Sequence, residues 1–258
     1  MKLYFKYLKI QFKTNLTYKG SSIMAIIGQL LTILATLVGI YCLLSQFSTL
    51  GEYSFKEILV TYALVIFIFS FDEMMFRGMD EFDQLIISGD MDRLLLRPRN
   101  LVLQICGHKV ELMKVGRVIL GAILVIAACI FSGIEWNFLK VLVLLEMIVC
   151  GIITYFGVYL LTASVTIFTV QRAEFLNIFV YGGKELCYYP LDIFKKFVTK
   201  FFTFIIPLAT FNYIPLRFIL GFADASFWYA IYPLVGIVFC IISYFIFNFC
   251  MKFYKSPG

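Results

Sequence analysis

The sequence predicts an all-α polytopic membrane protein with six transmembrane helices, and three observations carry that prediction. Of 258 residues, 62% are hydrophobic and only 15% charged, against about 45–50% apolar and about 25% charged in an average soluble domain. Uncharged runs recur at the roughly 20-residue length that a helix needs to cross about 30 Å of hydrocarbon. Lysines and arginines gather in alternate intervals between those runs. A soluble chain with so few charges could not cover its own core. That excludes an ordinary cytosolic enzyme, a disordered regulator and a nucleic-acid module, so no nucleic-acid partner is expected.

Taken in order, residues 1–20 come first. Lys2, Lys6, Lys9 and Lys13 recur at steps of 4, 3 and 4, while Phe5, Leu8 and Phe12 fall on another face. This pattern predicts an amphipathic interfacial helix lying in the headgroup region against anionic membrane lipids; a plain topology signal is the alternative. The apolar run that follows is about twice the length of a signal-peptide core, so an uncleaved first span is expected. Residues 21–258 then form a single transmembrane domain. Its spans are placed at about 23–44, 58–76, 118–134, 141–168, 197–222 and 226–251, the fifth broken by Pro207 and Pro215. Of the 22 Lys and Arg, 19 fall in residues 1–20, 72–117, 171–200 and the C-terminal tail, leaving Lys56, Lys140 and Arg217 for the other side. By the positive-inside rule both termini face the cytoplasm of a cell whose plasma membrane the chain spans six times.

Catalytic chemistry is hard to find. The seven cysteines show no CxxC spacing and read as small apolar side chains. His108 is the only histidine, so a histidine-based metal site is not expected. Asp72, Glu73, Asp80, Glu81 and Asp83 cluster around Arg77 at a helix end, where carboxylates are usually solvated, and no metal is expected there either. Gly182-Gly183-Lys184-Glu185 lacks the first glycine and the Ser/Thr of a phosphate-binding loop. The chain is therefore expected to hold no cofactor; ATP and magnesium, if used, belong on another polypeptide. Within the spans Glu146 is the main charge, and such scarcity counts against a proton- or sodium-coupled carrier.

Two segments look shaped for a task. In the 46-residue stretch 72–117, Ser88, Gly89, Asp90, Met91, Asp92, Arg93, Leu94, Leu95, Leu96, Arg97 and Pro98 combine leucines with an Asp/Arg edge. Ser88 or Asp90 can cap a short helix that Pro98 ends, either a docking surface for another protein or a loop helix packed on its own bundle. The second segment, Ile206–Arg217, carries two prolines eight apart in an apolar run. Non-helical backbone at membrane depth must be satisfied by protein or a water-filled cavity, which favours a hairpin re-entering from outside over one kinked span.

These segments, in this order, resemble the ABC-2 type permeases of bacterial ATP-driven exporters, and in particular six-span permeases of about 260 residues. Gly89-Asp90-Met91-Asp92 with Leu95-Leu96-Arg97-Pro98 is similar to their cytoplasmic motif. Pro207-Leu208-Ala209, Tyr213-Ile214-Pro215 and Leu220-Gly221 are similar to their extracytoplasmic one, and Tyr189-Pro190-Leu191 also fits. The resemblance implies a dimeric ABC ATPase bound at Ser88–Pro98 and at the interfacial helix. It further implies a second permease, identical or different, and an outer gate at Pro207–Gly221 with Pro207, Phe211, Tyr213 and Pro215 as gate residues. Export of an amphiphilic, drug-like or lipid-like substrate by alternating access is the function implied. A stand-alone carrier or channel is the alternative.

Overall fold

A computed structural model describes residues 19–46, 49–169, 174–223 and 225–256. The expected interfacial helix with Lys2, Lys6, Lys9 and Lys13 lies outside the described residues. Among those described, every regular element is helical except an isolated bridge between Leu50 and Tyr53. In chain order the helices are α1 (Lys19–Gln46), α2 (Phe55–Met75), α3 (Arg77–Asp80), α4 (Phe82–Ile87), α5 (Asp90–Leu95), α6 (Leu101–His108), α7 (Val115–Phe131) and α8 (Phe138–Thr169). They continue with α9 (Gly183–Cys187), α10 (Lys196–Phe204), α11 (Leu208–Phe211), α12 (Tyr213–Leu220) and α13 (Val235–Cys250).

Four helical stretches are long and apolar enough to cross a membrane: Phe55–Met75, Leu112–Phe131, Phe138–Thr169 and Tyr232–Phe253. A bent pair, Lys196–Phe204 and Leu208–Leu220 at 84°, makes a fifth if it is one span. α1 adds a helix of 28 residues with an apolar centre at Ile26–Cys42.

α2 is the hub of the bundle. Its apolar window is 72% buried, against 17% for the α7 stretch, and a helix hydrophobic all round suits a position enclosed by others. α7 instead presents Ile119, Ile123, Ile126 and Ile130, all more than half exposed, at the 4-3-4 spacing of one helix face. Such a stripe fits hydrocarbon rather than water. α8 packs against α13 where Gly236 leaves room: a Cβ there would come within 2.0 Å of the Thr154 hydroxyl. Close approach through small residues is how helices associate where lipid competes equally for apolar side chains.

Local signals set the helix starts. The Ser54 backbone N–H donates to the Glu57 carboxylate at 2.6 Å before α2. The side chains of Asn100 and Asn137 accept from the third residue onward, Leu103 and Lys140, at 3.1 and 2.8 Å. Each satisfies an N–H that the helix cannot.

The fifth traverse differs from the expected one. Residues 174–193, with a π-turn at Ile178–Gly182 followed by α9, run the length of α2. Tyr181 packs on Phe69 and bonds Arg77, Tyr188 packs on Tyr62, and Asp192 accepts from Tyr53. Asp192 and Arg217 then meet at 2.9 Å, so the intervening α10–α12 leave and regain the same end of the bundle. The charge tally set all of residues 171–200 on the side of 72–117; in the described part Tyr181 lies beside Arg77, whereas Asp192 lies beside Arg217. Lys195 and Lys196 follow Asp192 at the Arg217 end, and Lys184 sits over the Phe69 ring at 5.0 Å within the bundle. The adjacent Lys184–Glu185 pair, 2.9 Å apart, interrupts the apolar run and hides this traverse from a hydropathy reading.

Candidate functional site

At the Arg77 end, α5 carries the segment picked out as a docking surface. Gly89 adopts a left-handed conformation (φ 72°), which only glycine takes without steric cost, and it stands as the N-cap of α5. Neither expected cap holds that position, although the Ser88 hydroxyl accepts from the Asp90 N–H at 3.4 Å. α5 ends at Leu95, three residues before Pro98. Met91 and Leu94 face the core, whereas Ile87, Leu95 and Leu96 are 56%, 46% and 86% exposed. Arg93 pairs with Asp90 at 3.0 Å, and Arg93, Arg97 and Pro98 lie at the surface beside those leucines. The turn is held from below: the Gln104 side-chain amide donates to the carbonyls of Leu94 and Arg99. The C-terminal tail braces it, Tyr254 and Ser256 donating to the Asp92 carboxylate at 3.0 and 2.6 Å. Burial and the adjacent Asp92 push the Tyr254 hydroxyl up to about 12.

At the same end the acidic cluster is not solvated as the sequence suggested. Glu73 and Asp80 are 4% and 3% exposed, and basic side chains distant in sequence reach them. Arg117 and Lys114 donate to Glu73 at 3.0 and 3.2 Å. Arg77 pairs with Asp80 at 2.6 Å and Glu81 at 2.7 Å, and Lys109 bonds Glu81 as well. Tyr181 closes the ring, its hydroxyl donating to Asp80 and accepting from Arg77, both at 2.8 Å. Burial works against the Arg77 charge, but Tyr181, Asp80 and Glu81 outweigh it and raise the pKa. α3 can lie on α6 because residue 78 is glycine: a Cβ there would meet the Ile105 carbonyl at 2.1 Å. The cluster thus ties α3 and the turn after it to α2, to the start of α7 and to Tyr181. Among the described residues no group of His, Cys, Asp or Glu could hold a metal ion.

One acid stands apart. Asp72, a turn before the end of α2, is fully buried with no hydrogen-bond partner on either oxygen. The Tyr159 hydroxyl nearby is also buried and unbonded, and the buried Tyr155 hydroxyl has the Cys187 thiol beside it. Glu146 lies at the half-buried surface of α8.

At the Tyr53 end, the hairpin gives its four expected gate residues different surroundings. Phe211 is 1% exposed and packs on Tyr155 at 5.8 Å; Pro207 and Pro215 are also buried. Tyr213 lines a cavity. Asn212 explains how the broken backbone survives: its side-chain amide donates to the Cys187 carbonyl at 2.7 Å. Beside Tyr213, Arg217 binds three partners, Asp192 at 2.9 Å, Glu52 at 3.0 Å and the Tyr53 hydroxyl at 3.1 Å. Sequence reasoning missed this cluster and Tyr181; their only signal was aromatic and charged residues at the ends of an interrupted apolar run.

A family model described as ABC-2 family transporter protein matches residues 30–258. No curated protein and no solved structure matches the chain.

Proposed function

The chain belongs to the ABC-2 transporter family, and from that premise we propose that it is the transmembrane permease subunit of an ATP-driven exporter. ATP and magnesium bind the partner ATPase dimer, and hydrolysis belongs to that subunit. Six crossings are assigned to α1, α2, α7, α8, residues 174–193 and the Tyr232–Phe253 stretch, with α10–α12 as a hairpin re-entering from outside. Both termini then lie in the cytoplasm and the chain spans the plasma membrane of a bacterial cell. Two permeases, identical or different, face each other, and the cargo is amphiphilic or lipid-like.

The observation that carries this proposal is the exposure of Ile87, Leu95 and Leu96 on a segment anchored by Gln104 of α6 and by Tyr254 and Ser256 of the C-terminal tail. Apolar side chains in water beside arginines suit a partner protein, and α6, bonded to α5 through Gln104 and packed on Gly78 of α3, would carry that partner's movement to the Arg77 cluster and α2. A ligand shifts a conformational equilibrium only by binding its states unequally, so nucleotide at the ATPase must bias the position of α5. Leu95→Asp combined with Leu96→Asp tests this. The variant should insert normally and lose ATPase co-purification; normal recovery of the ATPase would remove the docking assignment.

A second reading, a carrier driven by an ion gradient, is favoured by Asp72 alone, because an unpaired intramembrane acid is a mark of such transport. Cargo uptake by the purified chain in liposomes without any ATPase would select it.

A further inference from the structure

At the end of the bundle that carries Tyr53, the loop before α2, the turn after the fifth traverse and the Phe227–Leu234 turns enclose a cavity of about 440 Å³. Pockets for small organic ligands run from about 300 to 1,000 Å³. Its wall holds three ionised side chains, Glu52, Asp192 and Arg217, and three tyrosines, 213, 229 and 232.

The charges do not cancel. Among the described lining residues Arg217 is the one cation, and its guanidinium is already engaged. It bonds Tyr53, Asp192 and Glu52, stacks 4.6 Å over the Phe222 ring and has a side chain only 13% exposed. Two carboxylates share that positive charge, so the described lining residues carry one net negative charge. Both bonds to Asp192 end on Oδ2, and the Arg217 bond to Glu52 ends on Oε2. Asp192 Oδ1 and Glu52 Oε1 accept nothing from the described residues. An anion would meet two carboxylates and no available donor cation.

The aromatic part of the wall has matching chemistry. The Tyr229 and Tyr232 rings stand 5.9 Å apart at 79°, forming the corner of a box, with Tyr213 a third ring on the same cavity. Ring faces are electron-rich, and a cation over them gains about 0.5–1 kcal/mol at exposed sites and about 2 or more when desolvated. Rings set at right angles around a negatively charged wall favour a cation that is bulky and weakly hydrated over a metal ion, which would keep its water.

We propose that this cavity binds the ammonium group of an organic cation. Its position on the outer face rests on the exporter topology above; the binding itself does not. The ammonium is supplied either by an amphiphilic cargo molecule or by a phospholipid headgroup.

Choline and its uncharged isostere 3,3-dimethyl-1-butanol separate charge from shape. Each is titrated calorimetrically into the full chain in phosphatidylglycerol nanodiscs, whose headgroup has no ammonium. Choline should bind, and the alcohol at least tenfold more weakly. Glu52→Gln and Tyr232→Leu, both at exposed positions, should each weaken choline by about 2–5-fold, the range a surface cation–π contact supports, at an unchanged melting temperature. Equal affinity for the two ligands, no choline binding, or unaltered binding in both folded variants would overturn the proposal. In phosphatidylcholine nanodiscs, suppressed choline binding assigns the site to a lipid headgroup and undiminished binding assigns it to a free cation. ATPase co-purification is measured on the same preparations. Failed choline binding with the ATPase retained removes the cation site alone, and a lost ATPase leaves a positive titration standing.

Discussion

The two ends of the fifth traverse carry the same four residue types in different surroundings. At one end Arg77 joins an aspartate, a glutamate and a tyrosine hydroxyl through Asp80, Glu81 and Tyr181. At the other Arg217 joins Asp192, Glu52 and Tyr53. The Asp80 side chain is 1% exposed and that of Glu81 14%, whereas Asp192 and Glu52 reach 28% and 64%. The first set packs against α6, with Lys109 on Glu81 and with Lys114 and Arg117 on the adjoining Glu73. The second opens on a cavity. The lesson is that identical chemistry serves as a rigid joint where water is excluded and as a receptive surface where it is not. Under the exporter function proposed above, a joint suits the end where an ATPase would dock, and a surface suits the end where cargo would leave.

The largest expected contrast comes from removing each arginine. Arg77→Ala strands buried carboxylates, which costs about 3–5 kcal/mol when one partner of a buried pair is lost. Arg217→Ala lets Glu52 return to water and should cost about 1–2 kcal/mol. Denaturation of both variants in detergent micelles checks this; equal losses would break the comparison. Gly78→Ala comes next, at about 1–3 kcal/mol of overpacking, because α3 must move off the Ile105 carbonyl. The tyrosine pair sharpens the comparison further. Tyr181→Phe removes a donor from buried Asp80 and should cost about 1–3 kcal/mol, and Tyr53→Phe about 0.5–1.5. The smallest effect is expected of Tyr254→Phe, below about 1 kcal/mol, since Ser256 still donates to Asp92; the same melts measure it.

Some of this was legible in the sequence because it is local. The all-helical membrane architecture follows from uncharged runs, and a short helix before Pro98 from the Ser88–Pro98 pattern, although its N-cap is Gly89 and not Ser88 or Asp90. What was hidden depends on contacts between distant segments. Nothing near Glu73 in sequence announces Arg117 or Lys114, so the acids read as solvated although they are buried. Lys184 beside Glu185 breaks the apolar run, so residues 174–193 read as cytoplasmic although they traverse the bundle. Phe211 and Pro215 lie in a segment of special shape, yet whether such residues line a passage or pack beneath it is decided by Tyr155 and Gly151 of α8, against which Phe211 rests.

The opposition of the two ends is tested most directly by cysteine labelling in intact cells. Leu96→Cys and Lys195→Cys are each treated with a membrane-impermeant maleimide, and the signal of the chain with its seven native cysteines is subtracted. Residue 195 should label in intact cells, and residue 96 only after the membrane is permeabilised. Labelling of both from the same side would contradict the traverse at residues 174–193 and, with it, the division of the protein into a motor end and a cargo end.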